Sequence, residues 1–149
     1  MPPVHPLLKE GTIIHIKMEN TGKNLRVMDD GTVNGRGGTG KFATFIVHNR
    51  PGQGNKAFQS WNNPNHWLCI KKRDWLVNGH GKGGKWCTFN VQPANKPGTF
   101  LLHSEHGQGH VGIKPSGDPK PANNTGAGPA AQCTFHQANP KQGWGKGHW

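Results

Sequence analysis

Apolar residues along this chain come in short runs, most of them alternating with polar ones, and no run keeps a helical period. Residues 12–18 (TIIHIKM) hold the Thr and Ile residues that suit a strand. A turn at Glu19-Asn20-Thr21-Gly22 follows, and residues 24–28 then alternate so that Leu25 and Val27 share one face. Asp29-Asp30-Gly31 predicts a hairpin turn, because Asp and Gly tolerate positive φ. Residues 32–34 return, a glycine-rich loop intervenes, and 42–47 form a fourth strand. The same order recurs over 56–61, 66–70, 75–78 and 86–91. It recurs again over 99–103, 111–114 and 132–137, with a Pro/Gly/Asn-rich passage before the last strand.

That recurrence is written into the residues themselves. Val33–Val47 (VNGRGGTGKFATFIV) and Val77–Val91 (VNGHGKGGKWCTFNV) match at a constant spacing of 44 residues. A weaker third copy ends in Cys133, Thr134 and Phe135, 46 residues beyond Cys87, Thr88 and Phe89. Self-similarity at a fixed period is the signature of a fold built from repeated units. Four short strands in each of three units predict an all-β protein, a β-trefoil in which six strands close a barrel and three hairpins cap it. Leu25, Leu68 and Val111 then form one layer of the core, and Phe45, Phe89 and Phe135 another. Ala43, Cys87 and Cys133 fill a smaller layer, and Trp86 is expected in the core. Residues 1–10 read as an irregular arm, 11–137 as the single domain, and 138–149 as a loose tail whose two tryptophans, Trp144 and Trp149, are its only anchors.

Composition bounds this picture more than it changes it. The 149 residues include 23 glycines and 12 prolines, and the net charge is +11. So few apolar residues with so much charge would by themselves argue for disorder. Six tryptophans and the repeat argue for a small folded core instead. The three cysteines are odd in number and lack Cys-x-x-Cys spacing. Cys87 matches Ala43, so that position reads as a small buried site and the thiols as free, in a reducing compartment. Asn123-Asn124-Thr125 fits the glycosylation pattern, which matters only on the secretory path. The first ten residues hold no basic start followed by an apolar run, so the expected location is the cytoplasm or export without a leader. No stretch reaches the ~20 apolar residues of a membrane span.

Two segments carry a family likeness. Asn24–Gly38 (NLRVMDDGTVNGRGG) resembles the first repeat of the fibroblast growth factors, where a Leu-Arg-Ile strand leads to Asp-Gly-Thr-Val-Asp-Gly-Thr. Val111–Phe135 (VGIKPSGDPKPANNTGAGPAAQCTF) resembles that family's third repeat, a Val-Gly-Leu-Lys strand entering a long loop. The likeness spans roughly residues 12–137. It implies the trefoil fold, shared with interleukin-1 and more distantly with the fascins. It also implies a heparan-sulfate site with Asn20 in the first turn and Lys114 and Lys120 in the third repeat. Pro115, Pro121 and Ala131 stand at other basic positions of that site, and fewer charges mean weaker polyanion binding. The chain has no tyrosine, whereas the family's receptor-binding surface relies on tyrosines.

Candidate chemistry is sparse. Gly35–Lys41 and Gly79–Lys85 match the front of a phosphate loop, but Phe42 or Trp86 follows where Ser or Thr would hold magnesium. A repeated loop between strands accounts for them better. His103, His106 and His110 are the densest of ten histidines, yet nothing in a glycine-rich turn fixes a tetrahedral zinc site. They read as solvated, and no metal or cofactor is expected. Imidazoles ordinarily titrate near about 6.5, so protonating them would strengthen any anion binding. Seven carboxylates and no nucleophile–base spacing argue against an enzyme. Lys71, Lys72 and Arg73 form a contiguous basic turn, and Arg36, Lys41, Lys82 and Lys85 decorate the glycine-rich loops. Cations near aromatic platforms suit an anionic polysaccharide or other glycan; nucleic acid would be met through charge alone. The expected function is a monomeric, non-enzymatic binding protein using Asn20, Lys114, Lys120, Lys71, Lys72 and Arg73. The alternatives are a fascin-like intracellular module with a protein partner and a neutral-sugar lectin.

Overall fold

A computed structural model describes residues 5–71, 73–104 and 109–140. Their strands are β1 (Ile13–Met18), β2 (Lys23–Val27), β3 (Val33–Gly37), β4 (Phe45–Asn49), β5 (Asn55–Ser60) and β6 (Trp67–Ile70). Then come β7 (Val77–Gly81), β8 (Phe89–Pro93), β9 (Phe100–Ser104), β10 (Gly112–Ile113), β11 (Pro119–Lys120) and β12 (Cys133–Gln137). Helix among the described residues is limited to three single 3₁₀ turns, Lys41–Ala43, Lys85–Cys87 and Ala122–Asn124. The fold is all-β.

Six strands close a barrel. Going round, β1 pairs with β4, β4 with β5, β5 with β8, β8 with β9, β9 with β12, and β12 with β1, every pair antiparallel. Three of these ladders are long and alike. They run from Phe45↔Ser60 to Asn49↔Lys56, from Phe89↔Ser104 to Pro93↔Phe100, and from Met18↔Cys133 to Ile14↔Gln137. The extra strands form hairpins, β2–β3, β6–β7 and the short β10–β11. Strand alternation sends Ile14, Ile16 and Met18 inward from β1, and they meet Phe45, Val47, Phe58, Phe89, Leu102 and Phe135 in one core. Full burial of each such side chain is worth roughly 1.5–3 kcal/mol. Leu25, Leu68 and Val111 close the core from the hairpin side, all at most 1 % exposed. Leu8 is 2 % exposed and belongs to the same cluster.

The hairpins are tied to one another by backbone hydrogen bonds. Gly35 N–H donates to the carbonyl of Gly117, Gly79 N–H to that of Gly31, and Ala122 N–H to that of Trp75, at 2.8, 2.8 and 2.7 Å. The three acceptor residues all have positive φ: +87° at Gly31, +62° at Trp75 and +96° at Gly117.

Several expectations need correction. The 42–47 and 86–91 strands begin three residues late, because Phe42 and Trp86 sit in 3₁₀ turns. Trp86 is only partly buried, its ring 6.4 Å from that of Trp75. The pairing of Phe135 with Phe45 and Phe89 is also overturned, since the strands open on Phe45, Phe89 and Cys133. A hydrogen-bonded turn sets each start: Ala43 N–H to Gly40, Cys87 N–H to Gly84, Ala131 N–H to Gly128. Ala131, not Cys133, therefore takes the small position of Ala43 and Cys87. Phe135 moves along the strand and packs at 5.5 Å from Phe100 and 5.4 Å from His5. The short strand β11 falls inside the passage read as irregular.

Candidate functional site

The turn between β1 and β2 places the first candidate residue. Gly22, at φ +68°, donates its N–H to Met18, and the turn is then lashed sideways. Thr21 Oγ1 donates to the Gly35 carbonyl at 2.9 Å, and Asn20 Nδ2 donates to the Ile113 carbonyl at 2.8 Å. Ile113 immediately precedes Lys114, and its neighbour Gly112 pairs with Lys120 across β10–β11. Asn20, Lys114 and Lys120 are therefore gathered at one hairpin from positions up to a hundred residues apart. A primary amide has two N–H donors, so Asn20 keeps its second. Lys114 is exposed and Lys120 half-buried.

What surrounds these lysines decides whether they are available. Glu19, in the same turn as Asn20, is bound to Lys96 Nζ at 2.8 Å. Asp118, in the hairpin itself, is bound to Arg36 at 2.9 Å. That hydrogen bond, with the guanidinium charge, Ser116 and the Lys114 charge adding to it, holds the Asp118 carboxyl below its usual range. Both nearby acids have other partners, and neither lysine is in an ion pair among the described residues. Lys114 also acts on the Asp118 carboxylate across the hairpin, where its backbone N–H donates to the Asp118 carbonyl at 2.8 Å, so its charge is partly answered.

The basic turn between β6 and β7 is less favourable. Lys71 is exposed, Arg73 lies 3.4 Å from the adjacent Asp74, and Lys72 lies outside the described residues. A depression of about 440 Å³ brings this turn beside the β10–β11 hairpin. Arg36, Arg73 and His80 line it, but so do Asp74 and Asp118. The charges there balance.

The aromatic platforms are partly covered. Arg50 lies 5.3 Å above Trp67 and bonds the Gly83 carbonyl, while Lys41 lies 5.4 Å from Phe42. The segments resembling phosphate loops run from strand into 3₁₀ turn, so no α-helix follows either one. The His103 and His110 rings are 5.0 Å apart, with His106 outside the described residues. Among the described residues no three His, Cys, Asp or Glu converge as metal ligands. No helix of the described residues is long and apolar enough to cross a membrane.

Two features escape the sequence reading. Cys69 and Cys87, both buried and free, hydrogen-bond to each other. The Cys69 thiol and the N–H groups of Gly83 and Gly84 favour the Cys87 thiolate and lower its pKa, while the same bond pushes Cys69 up. The second is a groove of about 610 Å³ on the outer barrel wall, bounded by β1, β2, the Gly37–Thr39 loop and β12. Its lysines and histidines are scattered over 120 residues of sequence, so no local pattern announces them. Gln59-Ser60-Trp61 has the Gln-x-Trp spacing of ricin-type lectins, as does Gln142-Gly143-Trp144 beyond the described residues. Gln59 is bonded to His48 and to the Pro64 carbonyl. Compared with protein-family profiles and with curated proteins, the chain matches none.

Proposed function

We propose that the closed barrel is a β-trefoil of the fibroblast-growth-factor type and that it is a non-enzymatic binder of an anionic glycan. Three hairpins, three matching ladders and the recurrent hairpin-to-hairpin hydrogen bonds support the fold. The observation that carries the function is the Asn20 amide bonded to the hairpin that bears Lys114 and Lys120, with Glu19 and Asp118 held by Lys96 and Arg36. A sulfate or carboxylate docked there meets two ammonium groups and an amide donor, and competes for Lys114 with an Asp118 carboxylate already bound to Arg36.

Retention on a heparin column tests this. The protein should bind at about 50 mM salt and release steeply by about 200 mM, as expected when several charges are engaged. Lys114→Ala with Lys120→Ala should lower the salt slope by about two. Elution in the void at low salt would sink the reading.

A second reading draws on the three buried free thiols, which suit a reducing compartment and hence a fascin-like intracellular module with a protein partner. Co-sedimentation with actin separates the two, because a glycan binder stays in the supernatant.

A further inference from the structure

The groove on the barrel wall is assembled by register. Ile14, Ile16 and Met18 face the core, so His15 and Lys17 project to the outer side of β1. His15 pairs with His136 on β12, and Lys17 pairs with Thr134 on β12 and Asn24 on β2. The outer face thus sets His15, Lys17, His136 and Asn24 side by side, and Lys23 and Thr39 complete the rim.

Its chemistry is one-sided. No Asp or Glu lines the groove, and neither Lys17 nor Lys23 is in an ion pair among the described residues. Both are exposed. His15 is 6 % exposed and fixed by a 2.9 Å bond from Nδ1 to the Ala43 carbonyl. A carbonyl can only accept, so the proton sits on Nδ1, and Nε2 of the neutral ring is an acceptor. Asn24 is held by its own Nδ2 bond to Gly38 at 2.7 Å, which fixes its amide oxygen as well. Two cations plus fixed neutral acceptors match a ligand carrying both an anionic group and hydroxyls. The volume falls in the range of small-ligand sites.

From this we infer that the groove is a second binding site, taking one acidic mono- or disaccharide unit whose sulfate or carboxylate lies between Lys17 and Lys23 and whose hydroxyls meet His15 and Asn24. The β1–β2 turn links it to the first site, with Asn20 at the start of the turn and Gly22 and Lys23 on the groove. A longer chain crossing that turn would occupy both. The inference builds on the anionic-glycan reading but uses different residues, so either can fail alone.

The probe is a sulfated heparin disaccharide titrated into the isotopically labelled full-length protein. Backbone amide signals of Lys17, Asn24, Thr39 and His136 should shift and saturate together. Lys17→Ala with Lys23→Ala should weaken disaccharide binding at least about tenfold, the scale of one lost charge-assisted hydrogen bond. Lys82→Ala with Lys85→Ala removes the same charge elsewhere and should leave that affinity unchanged. The inference is overturned if the disaccharide shifts only other residues while the heparin column still retains the protein. It is equally overturned if both double variants weaken binding to the same extent, since net charge alone would then be at work. Failure of disaccharide and column together removes both sites.

Discussion

Trp75 holds a φ of +62° where Gly31 and Gly117 take +87° and +96°, and all three carbonyls accept the bond that joins neighbouring hairpins. It is the one non-glycine among the described residues with positive φ. Left-handed backbone costs an L-residue about 1–2 kcal/mol, a cost offset here by the ring's packing on the core and against Trp86. Comparing Trp75→Gly with Trp75→Ala isolates the backbone contribution, since both lack the ring. Glycine should be the more stable by about 1 kcal/mol in urea unfolding, reversing the usual order in a strand or turn of normal φ. Equal stabilities would mean that the conformation carries no strain. Asp-Gly at Asp30-Gly31 and Ser-Gly at Ser116-Gly117 announce this geometry in the sequence, whereas Asp74-Trp75 conceals it. A tryptophan can occupy the position only because the surrounding hairpins over-determine it.

Among the elements, the repeated stretches are most legible where glycines set the backbone. Gly40, Gly84 and Gly128 each begin a turn that fixes where the next strand starts. Matching side chains instead of turns misplaced Phe135 by two residues, because aromatic identity is a weaker constraint than a hydrogen-bonded turn. The β6–β7 hairpin shows how closely neighbouring pieces fit. A Cβ on Gly81 would lie 2.1 Å from Cys87 Sγ and 2.8 Å from Cys69 Cβ. Gly81→Ala should destabilise by about 1–3 kcal/mol through overpacking. Adding Cys87→Ala, which copies Ala43 at the corresponding place, should recover part of that loss. A double variant no better than the single one would mean that Cys87 is not the group being pressed.

For the molecule as a whole, a net charge of +11 rests on 18 cationic residues against seven acids. Glu10, Asp30 and Asp118 each have a lowered pKa, caused first by the Asn49 backbone N–H, the Thr32 hydroxyl and the Arg36 guanidinium respectively. A carboxyl whose folded pKa is depressed stabilises the fold above its ordinary value and loses that contribution as pH falls through the folded value. The carboxylate contribution should therefore be level down to about pH 4 and decline below it, whereas His5, whose pKa burial lowers, already weakens the fold as pH falls through the ordinary imidazole range. Asp118→Asn should shrink the decline below about pH 4, and a decline there of unchanged size in that variant would assign it to other groups. Charge total and fold class were readable from the sequence, as were Asn20, Lys114 and Lys120 as candidates through family likeness. The groove was not, because antiparallel pairing of β1 with β12 and β2 is what sets Lys17, His136 and Asn24 together.

That pairing has a consequence for how the chain acquires its shape. β1 leaves the ribosome before the other strands of the ring, and its longest ladder is with β12, the last of them in chain order. Until residues 133–137 emerge, β1 has only its short pairings with β2 and β4. Closure of the ring must wait for a strand more than a hundred residues further on, and contacts of such long sequence separation make folding slow, on the order of milliseconds to seconds. During synthesis the unpartnered edge of β1, with Ile14 and Ile16 behind it, is the surface most in need of protection from other chains.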